Sequence, residues 1–296
     1  MLATLLGPLP RPPLPETATP GELLAAAVRA QETAGLEPIT DGGFGVGDDA
    51  ASRWQATAAL TGRPVKAVLT GPYSNGRTLD AALAVAEVVR GNLLALAAAG
   101  CPWVEIHEPA ATEIGIDEAE RSTFREANRR MLDGVSGVHL SLAITGGNAH
   151  AAGVETLLAA PYASLAVDLI AGPENWRLVV ATPGDRGIVC GVLSAERDAD
   201  DRPEILLWAA GYAASTGGRG AQRVGLATAS SLERLPWEVA VRKMHTLGEA
   251  AMLADVPPEE RRRRLDPRAL DLRSAALGQV MPRPRTRRLD RPPDRA

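Results

Sequence analysis

The chain has 296 residues, of which 45% are hydrophobic and 23% charged, and its formal net charge is −4. These values exclude a wholly disordered chain and give no basic field that would draw in nucleic acid. The length fits one large α/β domain or two modest ones.

In chain order, short β-branched or apolar runs lie at 3–6, 38–41, 65–70, 103–107, 138–144, 164–170, 187–193 and 223–227, and each is read as a strand. Each is followed by a helical pattern: 20–34, 49–60, 78–99, 116–132, 151–158, 173–180, 201–216 and 236–254. A parallel strand returns to its own edge only through a crossover, and a helix is the usual crossover. Parallel strands are buried on both faces, which accounts for near-continuous apolar runs such as VKAVLTG and ASLAVDLI. Eight such units predict an α/β fold of the (β/α)8 TIM-barrel type. An open doubly wound sheet is the rival. Its fingerprint would be a G-x-G-x-x-G turn opening a helix, and the run from Gly42 to Gly47 has the wrong spacing. The expected domain is a single barrel over 1–281. The Arg- and Pro-rich stretch 282–296 reads as a disordered tail, and Arg261 to Arg264 as a solvated surface run.

With only 2 Phe, 3 Tyr and 5 Trp the core must be aliphatic, and Lys66 and Lys243 are the only lysines. Cys101 and Cys190 each sit in an apolar stretch. Two isolated thiols make neither a disulfide framework nor a zinc module, so reduced thiols in a cytoplasmic protein are expected. No apolar run is read as approaching the roughly 20 residues that cross a bilayer. The opening MLATLLGPLPRPPLPE lacks a basic start and is cut by prolines, so neither a signal peptide nor a membrane partner is expected.

In a barrel, chemistry gathers where strands end and the following loops begin. The residues at those points include Asp41, Tyr73, His107, Glu108, Thr145, Asn148, Asp168 and Ser230. Three carboxylates, Asp41, Glu108 and Asp168, stand at one mouth and could bind a cationic group or act as bases; each could equally cap a helix or brace a loop. His107 has an imidazole suited to acid–base work near neutrality, but strand alternation turns it and Glu108 to opposite sides unless the strand has already ended. His139 falls at the far end of its strand and His245 on the last helix, both read as structural, while His150 can reach the mouth.

The same segments carry a resemblance. ATLLGPLPRP is similar to a GSFPR opening, AGLEPITDGGF to a GLD-x-x-TDGE segment, and KAVLTGPYS to a K-x-x-LTGP-x-T segment. AAAGCPWVEIHEPA is similar to an AGC-x-x-IQIDEPA segment, LAITGGN stands where HxCxGN would, and LATASSLERLPWEVAVRKMHTLGEAA resembles a closing CGL…EA segment. Taken in order, over roughly 3–254, these resemble the cobalamin-independent methionine synthase family in single-barrel form. The resemblance implies the barrel fold, methyl transfer and a folate-type methyl donor. It also implies a catalytic zinc held by His, Cys, Glu and Cys, which would activate a substrate thiol.

The departures are as informative. Aligned through Gly147 and Asn148, the family's His and first Cys fall on Ala143 and Thr145, or on Ser141 and Ala143 in a register two residues away. The Glu falls near Asp168 and the last Cys on Ser230. One carboxylate and an alcohol do not replace imidazole and thiolates, so no zinc is expected. The serine of GSFPR is Pro8, the glutamate of TDGE is Gly43, and the threonine after GP is Tyr73.

The expectation is a metal-free methyltransferase acting on a small polar substrate. Asp168, His107 and Glu108 would be catalytic, and Asp41, Tyr73, Thr145, Asn148 and Ser230 would bind substrate. The alternatives are a non-catalytic relative of the same barrel, or a metal-free decarboxylase or lyase like uroporphyrinogen decarboxylase. The oligomeric state is left open.

Overall fold

Seven strands pair in parallel in the order β1-β7-β6-β5-β4-β3-β2 in the computed structural model, which describes residues 1–199 and 201–265. The strands are β1 Leu2–Thr4, β2 Lys66–Thr70, β3 Trp103–His107, β4 His139–Ile144, β5 Ser164–Asp168, β6 Gly187–Leu193 and β7 Val224–Thr228. The stretch 282–296, expected as a tail, lies outside the described residues, as does the end of the barrel domain expected over 1–281.

The expected second strand, 38–41, does not form a ladder. Its segment instead bridges the two free edges of the sheet. Glu37 exchanges both backbone bonds with Ala3 of β1, at 2.8 and 3.0 Å. On the other side Ile39 donates to Pro64 and accepts from Lys66 of β2, both at 2.9 Å. Pairing stops there for two reasons. Pro38 has no amide to donate. The buried Gln31 side chain takes both the amide of Thr40 (2.9 Å) and its carbonyl (2.8 Å). The fold is therefore a curled barrel with one degenerate stave and a seam along β2 beyond Lys66.

The crossovers are α1 Pro20–Thr33, α2 Ala50–Ala58, α3 Pro72–Asn75, α4 Leu79–Ala98, α5 Glu118–Leu132, α6 Val154–Leu157, α7 Trp176–Ala181, α8 Pro203–Ser215 and α9 Trp237–Ala254, followed by α10 Pro258–Arg264. Reciprocal capping starts α1, where Thr19 and Glu22 bond each other's amides, and α2, where Asp49 and Ser52 do the same. The helix expected over 151–158 shrinks to a 3-10 turn and the one-turn α6, because Gly153 stands between them at φ +81°. α4 corrects the expectation that no apolar run nears membrane-span size. It has 20 residues and a mean hydropathy of 1.6, long and apolar enough by length and composition. Here one face of α4, through Ala82, Ala86, Val89, Leu93 and Leu96, is buried in the barrel's outer layer.

Alternation along each strand separates two apolar layers. Outward residues such as Val104, Ile106, Leu142, Val167 and Cys190 join the helices in one large core. Inward residues form a small lumen cluster of Leu6, Ala143, Ala166, Val189 and Ala227, with Leu2 and Trp103 against it. Ala143, Ala166 and Ala227 keep part of the lumen free of bulk, so polar side chains can enter it.

Candidate functional site

Lys66, Glu105 and His107 occupy the lumen as one chain. Glu105 and His107 lie two apart on β3 and share the inward face with Trp103. Lys66, on the neighbouring β2, donates to Glu105 Oε2 at 2.7 Å and to the Leu5 carbonyl at 2.9 Å. His107 Nε2 meets Glu105 Oε1 at 2.8 Å. The side chains of Lys66 and Glu105 are fully buried, while that of His107 is 16% exposed. Burial pushes the Glu105 carboxyl up, but the Lys66 ammonium and the His107 imidazole outweigh it and hold it at about 2. Burial pushes the Lys66 ammonium down, and Glu105 pulls the other way.

Deeper in the lumen, Trp103 Nε1 donates to Ser141 Oγ at 2.8 Å, and its ring lies 4.3 Å from that of His139. His139 bonds Ser164 at 2.8 Å, and burial lowers its basicity. It is a lumen-floor residue, at the end opposite the mouth.

The seam opens into a cavity of about 250 Å³, lined by Asp41, Arg53, Trp54, Thr57 and the strand residues 65–70. Thr70 stands beside His107 in the β2–β3 register, and Val68 beside Glu105. The cavity thus reaches the strand residues that flank the buried chain. Asp41 turns one carboxylate oxygen back to the Gly43 amide at 2.9 Å.

The expected site residues fall into two groups. His107, Asp41, Thr145 and Ser230 remain partly exposed. Among the described residues the Thr145 and Ser230 hydroxyls have no hydrogen-bond partner. The other four are tied into the scaffold. Glu108 faces the helical layer, away from His107, and accepts the Tyr73 and Ser74 amides at 3.0 and 2.7 Å. Burial raises its pKa, against the pull of those donors and of Asn128. Tyr73 is fully buried, edge-on to Phe124 at 5.6 Å, with the Arg77 guanidinium over its ring. Asp168 accepts the Ile170 and Ala171 amides on one oxygen (2.9 and 2.8 Å) and the Gly146 amide on the other (3.0 Å). Asn148, though partly exposed as well, accepts the Glu174 amide at 2.8 Å.

The positions that align with the family's zinc ligands do not fit a zinc ion. Ala143 or Thr145 and Ser230 offer no imidazole or thiolate, and both oxygens of Asp168 are engaged by amides. Cys190 faces the helical layer, and burial pushes its thiol up to about 12. Cys101 is also buried, and burial raises its pKa as well. Among the described residues, no three His, Cys, Asp or Glu side chains gather closely enough to hold a metal ion.

Sequence reasoning missed Lys66 and Glu105 as site residues. The signal was present in WVEIH, where Trp103, Glu105 and His107 alternate with Val104 and Ile106. A strand whose inward face carries two ionisable groups announces a polar lumen.

The lumen and its strand-end loops define an α/β barrel with a buried Lys66–Glu105 ion pair inside it and His107 at its mouth. No family model matches the chain. Two curated proteins from strains of Rhodopseudomonas palustris, each a 5-methyltetrahydropteroyltriglutamate–homocysteine methyltransferase, are 32% identical to it over 200 residues. The match covers 60% of this chain and 24% of theirs, so the chain spans about a quarter of the length of these relatives. Among solved structures, a B12-independent methionine synthase from Shewanella sp. W3-18-1 superposes with a TM-score of 0.70. Its sequence identity is 15%, over 85% of this chain and 97% of that one. A methyltransferase from Methanosarcina mazei gives a TM-score of 0.57 at 15% identity, over 84% and 94% of the two chains. The chain is a distant relative of the cobalamin-independent methionine synthase family, and its fold is that family's TIM barrel.

Proposed function

We propose that this protein transfers a methyl group to a small polar acceptor at the mouth of the barrel, without a zinc-activated thiol. The observation that carries this reading is the His107 imidazole, partly open to solvent and bonded to a buried carboxylate, in a lumen whose family zinc positions hold Ala, Thr, Asp and Ser. An acceptor that loses its proton to a side chain needs no Lewis acid to lower its pKa. Kinship with methyltransferases that use a methylated folate supports a donor of that class. Thr145 and Ser230, with hydroxyls uncommitted among the described residues, would hydrogen-bond the acceptor, and Asp41 would meet a cationic group from the seam cavity. Asp168, Glu108 and Asn148 would hold the loops around it. Two buried free thiols fit a reducing compartment, and we propose a cytoplasmic location.

The test is metal content together with ligand stabilisation of the purified protein. The expected result is no stoichiometric zinc, a raised Tm with methylated folates, and loss of labelled-methyl transfer in His107→Ala. Stoichiometric zinc with transfer to homocysteine overturns the proposal. Binding of tetrapyrroles in place of folates would favour the decarboxylase reading. Ligand binding with no turnover would favour a non-catalytic relative.

A further inference from the structure

Burying Lys66 and Glu105 together is costly, because two charges leave water, and apolar residues of similar size often serve a core as well. The pair therefore calls for a use beyond stability. Its geometry supplies one. Each Glu105 oxygen has its own donor, Lys66 Nζ at 2.7 Å on Oε2 and His107 Nε2 at 2.8 Å on Oε1. A carboxylate can only accept, so the hydrogen between Glu105 and His107 sits on Nε2. In the neutral ring the lone pair is then on Nδ1, which no described residue bonds.

We infer that Glu105, itself held by Lys66, is a positioning residue that fixes His107 as the base of the lumen, with Nε2 protonated and Nδ1 bare toward a substrate whose transferable hydrogen is on nitrogen, oxygen or sulfur. The charges of Lys66 and Glu105 cancel, so neutral His107 adds no net charge to the lumen. When Nδ1 takes a proton, the resulting imidazolium lies against the Glu105 carboxylate, with the Nε2 hydrogen still held by Oε1. The identity of the acceptor's proton rests on the methyl-transfer reading above; the tautomer stands without it. In that reaction the proton moves from the acceptor atom to Nδ1. The electron pair left on that atom forms the new bond to the donor's methyl carbon. The pair of the breaking carbon–nitrogen bond stays on the donor nitrogen, which receives the proton back from the imidazolium through water.

Nitrogen-15 labelling of the four histidines in the full chain tests this without any substrate. The His107 signals are assigned by their loss in His107→Gln. With the ring neutral, the expected spectrum shows His107 with hydrogen on Nε2 alone, as a slowly exchanging N–H resonance. In Lys66→Met/Glu105→Leu, which removes both charges and the acceptor, that resonance should vanish into rapid exchange with water while the Tm stays close to wild type. Should that variant not fold, Glu105→Gln keeps the volume and offers a single acceptor oxygen to two donors, and faster exchange of the same hydrogen is expected. Hydrogen on Nδ1 in the wild type, or an unchanged resonance in the folded variants, overturns the assignment. If the tautomer is found but no methyl transfer can be measured, the positioning role survives and the methyltransferase reading is the one that falls.

Discussion

Glu108 and Tyr73 join two neighbouring βα loops: the Glu108 carboxylate, just past β3, accepts the backbone amide of Tyr73, just past β2, at 3.0 Å. Its other oxygen takes the Ser74 amide at 2.7 Å, so one side chain caps the first turn of α3. Glu108→Ala leaves two amides without acceptors in a buried setting and should lower stability by about 3 kcal/mol. Glu108→Gln retains one acceptor oxygen and should cost about half as much. Urea unfolding measures both, and a loss under about 0.5 kcal/mol for the alanine variant would show that the cap is dispensable.

Lys66→Met strands the Glu105 carboxylate in the lumen with only His107 for company, and should cost about 3–5 kcal/mol. Adding Glu105→Leu should recover most of that loss, because the second change removes the unpaired charge. Near-additive losses in this double-mutant cycle would contradict the strong coupling that the 2.7 Å contact implies.

The same pair sets a pH dependence. Folding depresses the Glu105 pKa from 4.5 to about 2. Its contribution is therefore present above about pH 4.5 and is lost as pH falls through about 2. That shift corresponds to roughly 3 kcal/mol. Wild type should lose more stability across this window than Lys66→Met/Glu105→Leu does, as read by unfolding curves at each pH. Parallel curves would mean that Glu105 does not titrate as a paired carboxylate.

Asp168 distinguishes scaffold from chemistry. Asp168→Asn keeps an acceptor for the Ile170 and Ala171 amides but turns an NH2 group toward Gly146 N. A stability loss of about 1–2 kcal/mol is expected, with methyl transfer at saturating substrate reduced only modestly. Unchanged stability with activity abolished would instead make Asp168 a reacting group.

Cys101 and Cys190 are both buried, and burial raises the pKa of both. A thiol-reactive disulfide should label neither in the native protein and both after unfolding. Rapid native labelling would place one thiol at an accessible surface.

Most of the barrel was legible because parallel strands and their crossovers write themselves into hydropathy. Two strands, Trp103–His107 and Gly187–Leu193, have the bounds that the sequence predicts. The degenerate stave at Glu37–Ile39 was not legible. Its ladder is broken by Gln31, a helix residue whose reach to Thr40 only the tertiary fold brings about. At the site, position at the mouth was readable but commitment was not. Asp168, Glu108 and Asn148 sit at strand ends as expected, and their oxygens are occupied by amides of neighbouring loops. Lys66 and Glu105 went unread because their partnership spans 39 residues of chain and depends on strand register.

The interrupted stave has a mechanical consequence. Past Lys66 the backbone of β2 meets a cavity rather than another strand, and Val68 is 39% exposed there. Parting the wall at that point breaks no rung of the sheet, whereas parting any two of the seven paired strands would break several. The ring of strands is thus unlaced along β2 beyond Lys66, where α2 rather than a strand stands across the cavity.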